Sequence, residues 1–125
     1  MIFGIGVDIV DLERIKRAHQ SLGNGFVEGV FTDEEIRNSK VVLNIYPYLG
    51  ARFAAKEAFV KALGTGISSG IKWTDIEIKR KEGQRPFFAI SGKAAEIMKE
   101  KKIKNVHLSL SHEKSAAIAH VVMEK

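Results

Sequence analysis

The alternation of side chains over residues 2–10 predicts a β-strand, because apolar residues recur at every second position. One face carries Phe3, Ile5, Val7 and Ile9. The opposite face carries Ile2, Gly4, Gly6, Asp8 and Val10. Both faces therefore carry mostly apolar or small side chains. The carboxylate of Asp8 is the one charged group, on the face that also carries the glycines.

Two helices are predicted directly after this strand. Asp11 is an N-cap candidate for a helix that continues to the glycine-rich break at residues 23–25. Thr32 and Glu35 have the spacing of a capping box, in which each side chain satisfies a backbone N–H of the first turn. The pattern therefore predicts a second, short helix after Thr32.

The longest helical pattern covers residues 48–63, after Pro47 and up to the helix-ending Gly64. One stripe of this helix carries Leu49, Phe53, Phe59, Val60 and Leu63. An opposite stripe carries Ala51, Ala54, Ala55, Ala58 and Ala62. A face of alanines lets another backbone pack closely, and no wide polar face remains. We therefore expect this helix to be covered on two sides.

The second half of the chain predicts strands separated by one more helix. Strands are predicted at 74–81 and 86–91, joined by a turn at Gly83. A charged amphipathic helix follows at 93–102, and two closing strands flank a turn at 113–114. This mixed order predicts an α+β fold in a single domain.

Composition narrows the function classes. The chain has 125 residues and no cysteine, which excludes disulfides, thiolate nucleophiles and cysteine-ligated metal centres. The net charge of +5 and the pI near 9.5 favour an anionic partner. The apolar start lacks a basic flank and is soon interrupted by acidic residues, so we expect a soluble cytoplasmic protein without a signal peptide or membrane span.

Four charged residues interrupt the apolar faces of the long helix: Arg52, Lys56, Glu57 and Lys61. Arg52 and Lys56 fall among the large apolar side chains, so each must reach solvent, pair with an acid or meet a ligand. Glu57 and Lys61 lie four residues apart on the seam between the two apolar faces. That spacing suits either an ordinary ion pair or two members of a site.

Asp8 is a second candidate for chemistry, because Gly4 and Gly6 on the same strand face leave room for a group to approach its carboxylate. A buried aspartate that caps a loop explains the pattern equally well. Two carboxylates, Asp8 and Glu57, suit a hard cation such as Mg²⁺, which binds one or two carboxylates together with phosphate and water. The basic residues of the long helix would then hold the rest of a polyanion.

The other motifs are weaker. Residues 64–66 read Gly-Thr-Gly but lack the spacing of a phosphate-binding P-loop. None of the four histidines has the spacing of a zinc site. His112 alone remains a candidate, because it ends a predicted strand beside a turn that can present it to a site.

Four segments of the chain resemble, in order and spacing, the signatures of bacterial holo-[acyl-carrier-protein] synthases, which are 4'-phosphopantetheinyl transferases. The segments are MIFGIGVDIVDLERI, FTDEE, RFAAKEAFVKALGTGI and HLSLSHEKSAAIAHVV. The pairing of GVDI with the FAAKEAFVKALGTG helix is the most specific part. The resemblance runs nearly end to end and implies the α+β phosphopantetheinyl transferase fold as one domain over residues 1–125.

The resemblance also implies a site and an assembly. It gives Asp8 and Glu57 as Mg²⁺ ligands, with Glu57 and Lys61 in catalytic roles. The residues that it places along the coenzyme A site are Arg52, Lys56, Lys61, Gly64 and His112. Family members are typically trimers with active sites shared between neighbouring subunits, so a homotrimer is expected.

The implied reaction moves 4'-phosphopantetheine from coenzyme A to a serine of apo acyl carrier protein and releases adenosine 3',5'-bisphosphate, in support of fatty acid biosynthesis. Acyl carrier proteins are acidic, so we expect them to dock on Arg14 and Arg17, neighbours on one face of the first helix. A nucleic-acid-binding module is the main alternative, but the basic residues are dispersed and no RNA-binding motif is present. A purely structural oligomer leaves the charges of the long helix unexplained.

Overall fold

The structure, a computed structural model, describes residues 1–125 and contains five strands and five α-helices. The elements are β1 (Ile2–Asp11), α1 (Leu12–Leu22), α2 (Asn24–Val30), α3 (Asp33–Ser39), α4 (Ile45–Leu63), β2 (Ile76–Lys79), β3 (Phe87–Ile90), α5 (Gly92–Glu100), β4 (Asn105–His112) and β5 (Ala116–Glu124). A single 3-10 turn, Trp73–Asp75, precedes β2. The predicted α+β class is confirmed.

The strands form two antiparallel sheets. One sheet has the order β1-β5-β4, and the other is the hairpin of β2 and β3. In the larger sheet Asp8 lies opposite Ala119, and Ala119 lies opposite Leu110. Asp8 therefore sits on an edge strand, with small and apolar neighbours across the sheet.

Helix α4 packs directly on β1, because Gly4 and Gly6 leave its backbone room. A Cβ at Gly6 would overlap the carbonyl oxygen of Ala58, and one at Gly4 would overlap that of Ala62. Only glycine fits at these strand positions. The close approach confirms the prediction, made from the alanine face, that another backbone packs against this helix.

The other side of α4 packs on the small hairpin and its flanking turn. Phe59 contacts Phe88 of β3 edge to face, with ring centroids 5.1 Å apart. Phe53 contacts Trp73 with a centroid separation of 5.5 Å. The helix is thus covered on both sides, as its lack of a polar face predicted.

Although α4 is the longest helix, no helix combines the length and apolar character needed to span a bilayer.

The outer face of the larger sheet carries apolar side chains that remain exposed. They are Ile5 at 59%, Val7 at 51%, Ile9 at 69% and Ile118 at 40% exposure. An apolar patch of this kind on a sheet face is typical of a surface that another molecule covers.

Three element boundaries differ from the sequence pattern. The break predicted at residues 23–25 is confined to Gly23, and a helix resumes at residues 24–30. Helix α4 begins at Ile45 because the Asn44 side chain accepts the N–H of the second helical residue, and Pro47 fits the first turn, where no N–H is needed. The strand predicted at 74–81 is shorter, because its first residues form the 3-10 turn.

Candidate active site

Asp8 and Lys61 form an ion pair between β1 and α4. The Nζ atom of Lys61 donates to Oδ1 of Asp8 over 2.9 Å and to the carbonyl of Val7 over 3.1 Å. The Asp8 side chain is 16% exposed and that of Lys61 is 51% exposed, so the pair lies at the surface edge of the helix. Lys61 therefore pairs across to the strand rather than along the helix with Glu57.

Glu57 lies one turn before Lys61 and completes a cluster of three charged side chains. Its carboxylate has no ion-pair partner, because Lys61 bonds to Asp8 instead. Burial raises the pKa of Glu57 above its usual value, the Asp8 carboxylate raises it further, and Lys61 opposes both effects. Lys61 thus bonds to Asp8 and acts on Glu57 only as a nearby positive charge.

The donors of this cluster fit a hard divalent cation. The chain has no group of three or more His, Cys, Asp or Glu side chains that could hold a metal alone. Mg²⁺ does not need one, because it binds one or two carboxylates and takes its other ligands from phosphates and water. The unpaired charge of Glu57 beside Asp8 is the local feature that favours a cation there.

Lys56 lies in the core rather than at this cluster. Its ammonium group has no exposed surface and donates to Oε1 of Glu35 over 2.8 Å, the carbonyl of Trp73 over 3.0 Å and the carbonyl of Ile76 over 2.7 Å. These contacts use all its N–H donors. Burial lowers the pKa of Lys56, and the Glu35 carboxylate opposes that effect. In this structure Lys56 therefore has no N–H left for a ligand, and its predicted place along the coenzyme A site stays a prediction.

Glu35 extends the buried network to two further elements. Its carboxylate accepts the N–H of Ile78 in β2 over 2.9 Å and the N–H of Thr32 over 2.9 Å. The Thr32 bond belongs to the capping box that the sequence predicted. Glu35 and Lys56 thereby connect α3, α4 and β2.

Arg52 and His112, two of the predicted site residues, lie together at an open cleft of about 570 Å³ beside α4. Its other polar or aromatic walls are Asn38, Asn44, Tyr48 and Arg80, and the chain from Val41 to Leu43 supplies an apolar wall. No acidic side chain lines the cleft. The arrangement therefore suits an anionic ligand with an apolar part.

Sequence analysis misses the contribution of the β2–β3 hairpin to this region. Arg80, Gln84 and Arg85 line a neighbouring cleft together with Arg52 and His112. The available signal is the run KRKEGQR, whose glycine predicts the turn. The sequence does not show that the charges of this turn face the long helix, because that depends on how the hairpin packs.

Gly64, Arg14 and Arg17 occupy exposed positions outside the Asp8 cluster. Gly64 ends α4 with φ of 89°, a left-handed conformation that favours glycine, and a Cβ there would meet no neighbour within 4 Å. Arg14 and Arg17 lie on α1, and neither forms an ion pair. All three remain accessible to a ligand or partner.

Comparison with known proteins yields one consistent family. Residues 4–120 match the model of the 4'-phosphopantetheinyl transferase superfamily. A holo-[acyl-carrier-protein] synthase of Halothermothrix orenii is 46% identical over 125 residues, covering 100% of this chain and 99% of the relative.

Solved structures agree with the sequence relatives. The holo-[acyl-carrier-protein] synthase of Neisseria meningitidis has a TM-score of 0.92 and 40% identity, with 100% of both chains covered. The Helicobacter pylori synthase, solved in complex with coenzyme A, has a TM-score of 0.84 and 32% identity, covering 96% of this chain and 99% of that one. These likenesses span the candidate cluster and both clefts.

We expect replacement of Lys56 by Met to destabilise the fold by about 3–5 kcal/mol, because it leaves Glu35 buried without a counter-charge. The free energy of unfolding in urea measures this effect. Lys93→Met is the matched control, since Lys93 forms only an exposed pair with Glu96 and its loss should cost less than about 1 kcal/mol. Equal unfolding midpoints for the two variants would contradict a structural role for Lys56.

Proposed function

The chain belongs to the 4'-phosphopantetheinyl transferase superfamily, and from this premise we propose that it acts as a holo-[acyl-carrier-protein] synthase. It transfers 4'-phosphopantetheine from coenzyme A to a serine of an apo acyl carrier protein and releases adenosine 3',5'-bisphosphate. The holo carrier then serves fatty acid biosynthesis. The observation that carries this proposal is the cluster of Asp8, Glu57 and Lys61, on a chain that also carries a cleft lined by cations at an earlier turn of α4.

Asp8 and Glu57 are the proposed ligands of Mg²⁺. When bound, the cation supplies charge neutralisation at the diphosphate of coenzyme A, which phosphoryl transfer requires more than covalent catalysis. Lys61 is half exposed and bonded to Asp8, so it can turn to a diphosphate oxygen when a ligand enters. Its charge then opposes the negative charge that develops in the transition state.

Glu57 also offers a place for the serine proton. Its carboxylate can accept a proton, although a cation bound to it would oppose the rise in the pKa of Glu57 that burial and the Asp8 carboxylate cause. In this proposal the hydroxyl oxygen of the carrier attacks the β-phosphate, and Glu57 accepts the proton directly or through water. Adenosine 3',5'-bisphosphate leaves as the bond to the β-phosphate breaks.

The cleft of Arg52 and His112 is proposed to bind a further phosphate of coenzyme A. Arg52 precedes Glu57 by five residues on α4, a rise of about 7.5 Å along the helix axis. The two residues point about 140° apart around that axis, so coenzyme A reaches both only as an extended polyanion or across the site shared between subunits that the family resemblance implies. Gly64 lies beyond Lys61 at the exposed helix end, where its missing side chain leaves the backbone open to the ligand.

We expect Asp8→Asn and Glu57→Gln each to reduce transfer by at least about a hundredfold, because each removes an anionic ligand from the cation. The mass of the carrier after incubation with coenzyme A and Mg²⁺ measures transfer. Both variants should stay folded, and Glu57→Gln should raise the melting temperature without metal because it removes a partly buried charge and its repulsion from Asp8. Full wild-type transfer in excess EDTA would remove the metal from the proposal.

A homotrimer is proposed from the exposed apolar face of the larger sheet. Ile5, Val7, Ile9 and Ile118 point away from α4 and lie on neighbouring strands β1 and β5. Burial of such a patch between copies of the chain removes apolar area from water. The family resemblance implies a trimer with shared sites, which fits an interface on the strand that carries Asp8.

Charge placed in this face should dissociate the assembly. We expect Ile5→Glu to convert a trimer to a monomer at micromolar concentration, because a carboxylate buried at each interface is costly. Light scattering coupled to gel filtration measures the mass. Leu22→Glu is the matched control, since Leu22 is similarly exposed but lies on α1. A monomeric wild-type protein with full activity would contradict the proposal.

The carrier is proposed to dock on α1, where Arg14 and Arg17 are exposed and unpaired. We expect Arg14→Glu to raise the KM for the carrier roughly tenfold and to leave the KM for coenzyme A unchanged, since the carrier is acidic. Added salt should weaken wild-type carrier binding. Lys99→Glu on α5 is the control for net charge. An unaltered carrier KM in the Arg14 variant would place the docking surface elsewhere.

A further inference from the structure

Arg52 is a cation that the protein holds without neutralising. No acidic side chain forms an ion pair with it, although the chain contains 15 Asp and Glu residues. Its Nε atom is buried and has no hydrogen-bond partner. A buried donor without a hydrogen bond costs free energy. Some other contact must therefore hold the guanidinium group of Arg52 in this position.

The aromatic ring of Tyr48 supplies the contact that holds it. Tyr48 precedes Arg52 by one helical turn, and the guanidinium carbon lies 3.9 Å from the centre of its ring. This distance is well within the range of a cation–π interaction. Stacking covers the flat face of the guanidinium group, and because Arg52 lines the cleft, its terminal N–H groups are the part that can meet a ligand.

Tyr48 is an uncharged wall of the same cleft. Tyr48 and Asn38 line the same cleft as Arg52 and His112. Burial raises the pKa of the Tyr48 hydroxyl, and the Arg52 charge opposes that rise. The ring therefore faces Arg52 as an uncharged aromatic surface, which neither neutralises the arginine nor competes with an anion.

We propose that Tyr48 is a positioning residue for the transfer reaction: its ring stacks on Arg52 and directs that guanidinium group into the cleft to bind a phosphate of coenzyme A. This inference rests on the proposed function and adds a residue to it. Tyr48 touches no reacting atom and acts only through Arg52. Its loss should therefore weaken coenzyme A binding and leave the chemical step intact.

A matched pair of variants isolates the aromatic face. Tyr48→Leu keeps an apolar side chain but removes the ring, whereas Tyr48→Phe keeps the ring and removes the hydroxyl. We expect Tyr48→Leu to raise the KM for coenzyme A about five- to tenfold, with kcat and the KM for the carrier within about twofold of wild type. Tyr48→Phe should retain the wild-type KM.

A double-mutant cycle tests whether Tyr48 acts through Arg52. We expect Arg52→Ala to raise the KM for coenzyme A and Tyr48→Leu to add less than about twofold in that background. Calorimetric titration with coenzyme A and with adenosine 3',5'-bisphosphate gives the affinities without turnover. Melting temperatures close to that of wild type would establish that the variants are folded.

The outcomes separate this inference from the proposed function. A raised KM in Arg52→Ala but not in Tyr48→Leu overturns the role of Tyr48 alone. Equal effects of Tyr48→Leu in the presence and absence of Arg52 also overturn it. An unchanged KM in Arg52→Ala overturns the cleft assignment and this inference together, whereas absence of transfer by the wild-type protein overturns the proposed function itself.

Discussion

The buried ion pair of Lys56 and Glu35 fixes the position of α4, and the candidate active site depends on that position. Charges without access to water must be paired and fully hydrogen-bonded. The Lys56 ammonium group meets the Glu35 carboxylate and two carbonyl groups, and that carboxylate accepts the N–H of Ile78 in β2. A shift of α4 by one residue would break all of these contacts together, so the pair sets the register of the helix against β2.

This register decides what the next residue of the helix does. Successive residues of an α-helix point about 100° apart, so burying Lys56 against β2 turns Glu57 toward β1. Gly6 allows the opposite side of the helix to approach that strand, because any side chain at Gly6 would overlap the backbone of α4. The position of the helix is thus fixed on one side by β2 and on the other by β1. Asp8, Glu57 and Lys61 are brought together in consequence.

Features that depend on neighbouring residues were predictable from sequence: the capping box of Thr32 and Glu35, the helix end at Gly64 and the close packing of the alanine face. The different fates of Lys56 and Arg52 were not predictable. Both lie on one row of α4, among large apolar side chains. The neighbouring residues in the sequence therefore give no signal that distinguishes their environments. Only the folded position of Glu35 and of the β2 backbone makes Lys56 a core cation and leaves Arg52 at the cleft.

The charges that the protein satisfies least therefore mark the site. Ionised Glu57 destabilises the fold, because its pKa is higher in the folded chain than in the unfolded one and stability falls as pH rises from the ordinary glutamate value through the raised pKa. Lys56 is fully bonded and has no donor left for a ligand, and its removal would leave Glu35 buried without a counter-charge. A cation between Asp8 and Glu57 would relieve their repulsion. The folded protein therefore keeps at this site an unfavourable electrostatic interaction that ligand binding would remove, and binding would stabilise the fold.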